Sequence, residues 1–225
     1  MASVRLPKSC GLAPRVESLS PMLLDERKVA PAVQDVYVAE VKYDGYRVLA
    51  QFGDGACVLR TRNGADCTKW FPEVAIPLAE AHQGRMVVDG EMCIFDGAGR
   101  SDFDALHDRA RRRRFSDGDV AVTFCVFDAL VFDGRDVMSL PLVRRKGLLE
   151  DLLAPGLLNV LYARHISSGD VENPLTWLYA RALELQLEGI VGKRADSIYT
   201  PGERSRSWFK LKRPGAVPPE QFHRK

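Results

Sequence analysis

The 225-residue chain contains no G-x-x-x-x-G-K-[ST] loop and no G-x-G-x-x-G turn, so the two commonest glycine-based nucleotide cradles are absent. No run of about 18 uncharged apolar residues occurs, and Arg5 and Lys8 have no apolar segment behind them, so neither membrane insertion nor export is expected. The five cysteines (Cys10, Cys57, Cys67, Cys93, Cys125) are odd in number and form no C-x-x-C pair, which argues against a disulfide framework and a zinc site and for a reducing, cytoplasmic setting. His82, His107, His165 and His223 lack H-E-x-x-H spacing and read as structural or surface residues. Charge of one sign is missing too: the net charge is +2, with basic residues bunched at 109–114, 144–146 and 204–213 and at Arg224 and Lys225. A local basic face fits this pattern, with solvated helix surfaces as the alternative for each run.

What is present, 46% hydrophobic and 28% charged residues without repeats or low-complexity segments, describes a globular protein that folds. Pro7, Pro14, Pro21 and Pro31 mark residues 1–34 as an extended lead-in packed on the domain. Short β-branched and aromatic runs predict strands at 36–41, 46–52 and 56–60, separated by Asp44-Gly45 and by Gly53-Asp54-Gly55, as in an antiparallel meander. Further strands are expected at 87–95, 120–132, 160–166, 189–193 and 207–212, that at 120–132 buried on both faces. Helical spacing predicts helices over 71–82, 103–114, 142–153 and 175–187. Strands and helices mix without strict β-α-β alternation, so the expected class is α+β, with antiparallel sheets flanked by helices. Residues 35–213 form the expected domain, and 214–225 a Pro-rich basic tail.

With glycine cradles absent, phosphate chemistry must rest on charged side chains. Lys42-Tyr43-Asp44-Gly45-Tyr46-Arg47 puts a lysine at the end of a predicted strand and an arginine at the start of the next, aimed at a shared concavity. A β-hairpin with a charged Asp-Gly turn explains the same residues. The downstream segments separate the two readings: Arg60-Thr61-Arg62-Asn63-Gly64, Asp89-Gly90-Glu91, the aromatic stretch around Phe127-Asp128, Leu187-Glu188-Gly189-Ile190-Val191-Gly192-Lys193, and Trp208-Phe209-Lys210-Leu211-Lys212.

In this order, the segments resemble the motifs of the covalent nucleotidyltransferase superfamily, which comprises ATP-dependent DNA ligases, RNA ligases and capping enzymes. The phrase Asp-Ser-Ile-Tyr-Thr-Pro-Gly-Glu-Arg at 196–204 is similar to bacterial DNA ligases of the end-joining type. The resemblance implies an ATP-grasp-like nucleotidyltransferase domain that moves AMP from ATP to Lys42 and then to a DNA 5′-phosphate, sealing nicks in DNA repair, recombination or end joining. RNA ligation or another polynucleotide adenylyl transfer, and a non-catalytic nucleotide- or DNA-binding module, are the alternatives.

It also implies roles. Glu40 reads the adenine amino group, Phe127 stacks on adenine, and Glu91 accepts from a ribose hydroxyl. Arg47 and Arg62 fork onto phosphates, including an incoming 5′ end. Lys193, Lys210 and Lys212 neutralise phosphate and lower the pKa of Lys42, whose shift from about 10.4 to near 7 requires roughly 4–5 kcal/mol. Mg²⁺ or Mn²⁺ joins them, with Glu91 and Glu188 as direct or water-mediated ligands. Three positions keep a second reading: Phe127 as plain core, Glu188-Gly189 as a helix C-cap, and residues 111–114 as a solvated face rather than a DNA-backbone track.

Family members usually continue into an OB-fold domain that orients pyrophosphate and helps clamp DNA. The expectation is that these 225 residues include no OB-fold domain, being either a piece of a longer protein or a stand-alone domain, and that a monomer seals weakly unless an OB-fold or end-joining protein partner is supplied.

Overall fold

A computed structural model describes residues 13–216; Cys10, His223, the first part of the expected lead-in and most of the expected tail lie outside them. Two sheets carry the fold. The first comprises β1 (Leu23–Arg27), β2 (Tyr37–Val41), β9 (His165–Ile166), β10 (Gly189–Arg194) and β11 (Arg204–Lys212), in the order β1-β11-β10-β2-β9. The second comprises β3 (Tyr46–Gly53), β4 (Ala56–Thr61), β5 (Met86–Cys93), β6 (Thr123–Phe132) and β7 (Arg135–Asp136), in the order β4-β3-β5-β6-β7, with β8 (Val160–Tyr162) beside β6. Every pairing is antiparallel except β1 with β11 and β6 with β8. Four α-helices among the described residues complete the fold: α1 (Pro72–Glu80), α2 (Phe103–Arg111), α3 (Leu142–Leu153) and α4 (Pro174–Glu184). None is long and apolar enough to cross a membrane.

Alternation along the strands explains the layering, since successive side chains point to opposite faces. In the second sheet Val48, Ala50, Val88 and Met92 pack with Val74 and Leu78 of α1, Leu106 of α2 and Leu149 of α3. In the first sheet Tyr37, Ala39, Ile190, Phe209 and Leu211 pack with Leu175, Leu178 and Ala182 of α4. The remaining faces meet each other through Val38 and Trp208 from one sheet and Leu49, Val87, Leu130 and Val131 from the other. Further along the same inner faces the residues become charged: Glu40 and Lys42, Arg47, Asp89 and Glu91, then Lys210 and Lys212. Apolar residues therefore close one end of the inter-sheet space, and charge holds the other end open to water.

Several local expectations change. The segment from Lys42 to Arg47 is not a hairpin: β2 and β3 belong to different sheets, and the Asp44-Gly45 turn carries the chain between them. Gly45 is required by a close approach, because a Cβ there would lie 2.0 Å from the carbonyl oxygen of Met92. The expected strand at 160–166 splits into β8 and β9, again one for each sheet. The lead-in supplies β1, a parallel partner of β11. In the expected solvated runs, Arg109, Arg145 and Lys146 are instead buried, each against carboxylates: Glu73 and Asp119, Asp128, and Glu40 respectively. Buried charge persists when paired in this way.

Candidate active site

Between the charged inner faces lies an open cleft of about 1030 Å³, continuous with a narrow inner pocket of about 50 Å³ through the shared walls Leu24, Lys42, Arg47 and Glu91. Eight lysines and arginines line the outer cleft against three carboxylates, Asp44, Glu91 and Glu188. Its field suits polyanions, although the chain as a whole is nearly neutral. Phe127, Val191, Lys193, Glu40 and Trp208 line the inner pocket.

Lys42 stands where the two spaces meet. It follows directly on β2, and its backbone N–H donates to the Gly189 carbonyl at 3.0 Å, which extends the pairing with β10 by one residue. Its ammonium donates to Glu188 at 2.5 Å, and the other oxygen of Glu188 lies 3.0 Å from Lys212 Nζ. Glu188 thus bridges the two ammonium groups at the edge of the cleft. Glu188 is not a helix cap. α4 ends in a Schellman motif two residues earlier, with Gln186 in the left-handed position (φ 57°) and Leu187 N–H bonded to the Ala182 carbonyl. Gly189, at φ 150°, opens β10, where a Cβ would strike the Leu211 carbonyl oxygen.

Arg47 is less free than a phosphate fork requires. Its Nε and Nη2 donate to the two oxygens of Asp89 at 2.6 and 2.7 Å, and Asp89 is completely buried. The Tyr199 hydroxyl donates to the same carboxylate at 2.5 Å and accepts from the Met22 backbone N–H at 2.9 Å. Asp89 therefore fixes one edge of the guanidinium and leaves Nη1 for a ligand. Glu91 faces Arg47 across the β3–β5 ladder. Lost solvation pushes its carboxyl up to about 7 against the pull of Arg47 and Lys42. Burial, reinforced by Glu188, also raises Asp44. A nearby cation would relieve both groups.

Deeper in, Glu40 sits between two ammonium groups, Lys146 Nζ and Lys193 Nζ, each at 2.7 Å. Burial lowers Lys193 to about 8, although Glu40 opposes the shift. Lys193 Nζ lies 4.2 Å from the Phe127 ring centroid and 4.3 Å from that of Trp208, while Arg47 Cζ lies 4.5 Å from Phe127. Phe127, although buried, also lines the inner pocket and carries both cations near its ring.

Of the residues named from sequence, Glu40, Lys42, Arg47, Glu91, Phe127 and Lys193 line the inner pocket. Lys210, Lys212, Glu188 and Arg62 line the outer cleft, with Lys210 held 3.0 Å from Glu26 of β1 and Arg62 exposed on the loop after β4. Sequence reasoning missed the roles of Asp89, Tyr199, Arg145 and Lys146. One signal was available. Leu142, Arg145, Leu149 and Leu153 share one helical stripe with Lys146 beside it, so two basic residues stand where α3 should be apolar.

Two layered sheets, a strand-end lysine and a cation-lined cleft with an inner aromatic slot suit a domain that binds a phosphorylated nucleotide. The family described as ATP dependent DNA ligase domain matches residues 21–212, and the chain belongs to it. The multifunctional non-homologous end joining DNA repair protein LigD of Mycobacterium tuberculosis is 33% identical over 196 residues, covering 87% of this chain and 24% of that protein. LigD of Pseudomonas aeruginosa is 35% identical over 208 residues, covering 92% and 24%. This chain therefore spans about a quarter of the length of these relatives. The SPbeta prophage-derived DNA ligase-like protein LigB of Bacillus subtilis is 32% identical over 194 residues, covering 86% of this chain and 67% of that protein. A solved mycobacterial DNA ligase D complexed with ATP and MES superposes with a TM-score of 0.71 at 31% identity, covering 88% of this chain and 61% of that one.

Proposed function

We propose that the chain uses ATP to adenylate Lys42 and passes the AMP to the 5′-phosphate of a DNA end or nick. The observation that carries this reading is the placement of Lys42 at the mouth of the inner pocket, with Glu188 and Lys212 behind it. In the first step the neutral amine of Lys42 attacks the α-phosphorus, a P–N bond forms, the α–β P–O bond breaks, and pyrophosphate leaves. Lys210 and Lys212 neutralise phosphate charge as it builds. Phe127 stacks on the adenine, Glu40 and Lys193 meet its edge, and Glu91 accepts from the ribose. In the second step an oxygen of the DNA 5′-phosphate attacks the same phosphorus and Lys42 leaves as the amine. Attack by a 3′-hydroxyl then expels AMP and seals the strand. Arg62 and the free edge of Arg47 face the cleft through which that 5′-phosphate arrives.

The carboxylates fit a hard divalent cation. Mg²⁺ or Mn²⁺ in such a site takes one or two carboxylates, water and substrate phosphates. Glu91, whose charged form is poorly compensated, and Glu188 would hold it. Once bound, the ion supplies Lewis-acid polarisation of the phosphate oxygens.

The similarity to LigD supports a double-strand-break setting in bacterial end joining, with an OB-fold or end-joining protein partner strengthening the grip on DNA. The four free cysteines among the described residues suit action in the cytoplasm. Incubating the purified chain with Mg²⁺ and ATP should add one AMP to the intact mass, acid-labile and alkali-stable, and Lys42→Ala should abolish it. Chasing the adduct with 5′-phosphorylated nicked DNA or RNA should transfer AMP preferentially to DNA. Absence of any adduct in the wild type would remove the reading.

A further inference from the structure

Lys146 comes from α3, outside every segment that marks the site in sequence, yet its side chain is completely buried. Its ammonium donates to Glu40 Oε1 at 2.7 Å, to the Ala163 carbonyl at 3.0 Å and to the Phe127 carbonyl at 3.3 Å. An ammonium has three N–H donors, so this set uses all of them. Lys146 does not line the inner pocket; Glu40 and Lys193 do. Of the two lysines on Glu40, Lys146 is thus the fixed anchor, tied to the backbone of the strand that carries Phe127. Lys193 stands on the pocket wall, where a ligand can displace it.

We propose that Lys146 is a positioning residue for nucleobase selection: it holds Glu40 as an ionised, acceptor-only carboxylate at the pocket wall, favouring adenine over guanine. The inference rests on the reading of the inner pocket as the nucleobase site. A carboxylate accepts hydrogen bonds and donates none, whereas a carboxylic acid donates one. Adenine presents an amino donor at the ring position where guanine presents a carbonyl acceptor. Burial alone raises the pKa of Glu40, but Lys146 and then Lys193 more than offset it and hold the group below the ordinary carboxylate range. Without Lys146, Glu40 loses its anchor and one of its two stabilising charges. A protonated Glu40 then offers guanine a hydroxyl donor in place of the acceptor that the native carboxylate presents.

The test is competitive loading. Wild type and Lys146→Met are incubated with Mg²⁺ and equimolar ATP and GTP, and intact mass reads the ratio of AMP to GMP adducts. A hydrogen bond to a charged group is worth about a tenfold preference or more, so the ratio should fall at least about tenfold in Lys146→Met. A merely structural lysine would lower total loading and leave the ratio unchanged, and an unchanged ratio overturns the inference while leaving the proposed function standing. A wild type that takes up neither nucleotide overturns both. Should Lys146→Met fail to fold, Glu40→Gln is compared with the Glu40→Gln/Lys146→Met pair, which removes both charges together. Equal ratios in those two variants support action through Glu40, and a further fall in the pair overturns it.

Discussion

Replacing Asp89 with asparagine keeps the shape of the side chain but removes a charge that no solvent reaches. In the wild type the carboxylate accepts from Arg47 Nε at 2.6 Å, Arg47 Nη2 at 2.7 Å and Tyr199 Oη at 2.5 Å. Each hydrogen bond to a charged group contributes about 1.5–3 kcal/mol net. Asparagine retains one acceptor oxygen and turns an NH₂ group toward donors, so the loss approaches that of a broken buried pair, about 3–5 kcal/mol. For a chain of this size that corresponds to roughly 6–20 °C in Tm. Urea denaturation followed by circular dichroism measures the stability change, and AMP loading measured in parallel should fall because Arg47 loses its orientation. Tyr199→Phe removes one of the three bonds to Asp89 and also the acceptor of the Met22 N–H, and should cost about 2–4 kcal/mol. The Asp89→Asn/Tyr199→Phe pair should cost less than the sum, since both variants break the same network. An Asp89→Asn protein within about 1 kcal/mol of wild type would refute the claim that this network anchors Arg47.

Other perturbations address separate parts of the account. Glu91 titrates near 7 when folded, above its unfolded value of 4.5, so its protonated form favours folding. The stability it contributes is present at low pH and declines as pH rises from about 4.5 through 7. In metal-free buffer the decline should be about 1–3 kcal/mol, and Glu91→Gln should flatten it; parallel stability–pH curves would contradict the assignment. Gly45→Ala would press a Cβ into the Met92 carbonyl, and we expect AMP loading to collapse with a stability loss above about 2 kcal/mol, read by intact mass and denaturation. Arg111 and Arg113 line the outer cleft away from the inner pocket. Replacing either with alanine should lower the salt slope of DNA binding by about one and leave AMP loading intact, whereas an unchanged slope would place DNA elsewhere.

Much of this architecture was legible because strands alternate. Trp208, Lys210 and Lys212 share one face of β11 while Phe209 and Leu211 share the other, and that pattern alone predicts a charged groove backed by an apolar core. Helix α3 was legible to the residue, and the α+β class with mainly antiparallel sheets followed from the order of elements. Illegible features were those set by long-range partners. Periodicity cannot reveal that β2 and β3 join different sheets, because the turn between them carries the same Asp-Gly pair as a hairpin. Nor can a run such as Arg144-Arg145-Lys146 show which members face water, since that depends on Asp128 and Glu40 arriving from other strands. The groove also placed Arg47 under the hold of Asp89 and Tyr199, a constraint spread over 110 positions of sequence between Asp89 and Tyr199.

The most direct test of the account is to locate the nucleotide on the protein. After incubation with Mg²⁺ and ATP, tandem mass spectrometry of a digest kept above neutral pH should find a single AMP on the peptide containing Lys42, on the lysine itself. An AMP on Lys193, Lys210 or Lys212 instead, or an adduct that survives in Lys42→Ala, would contradict it.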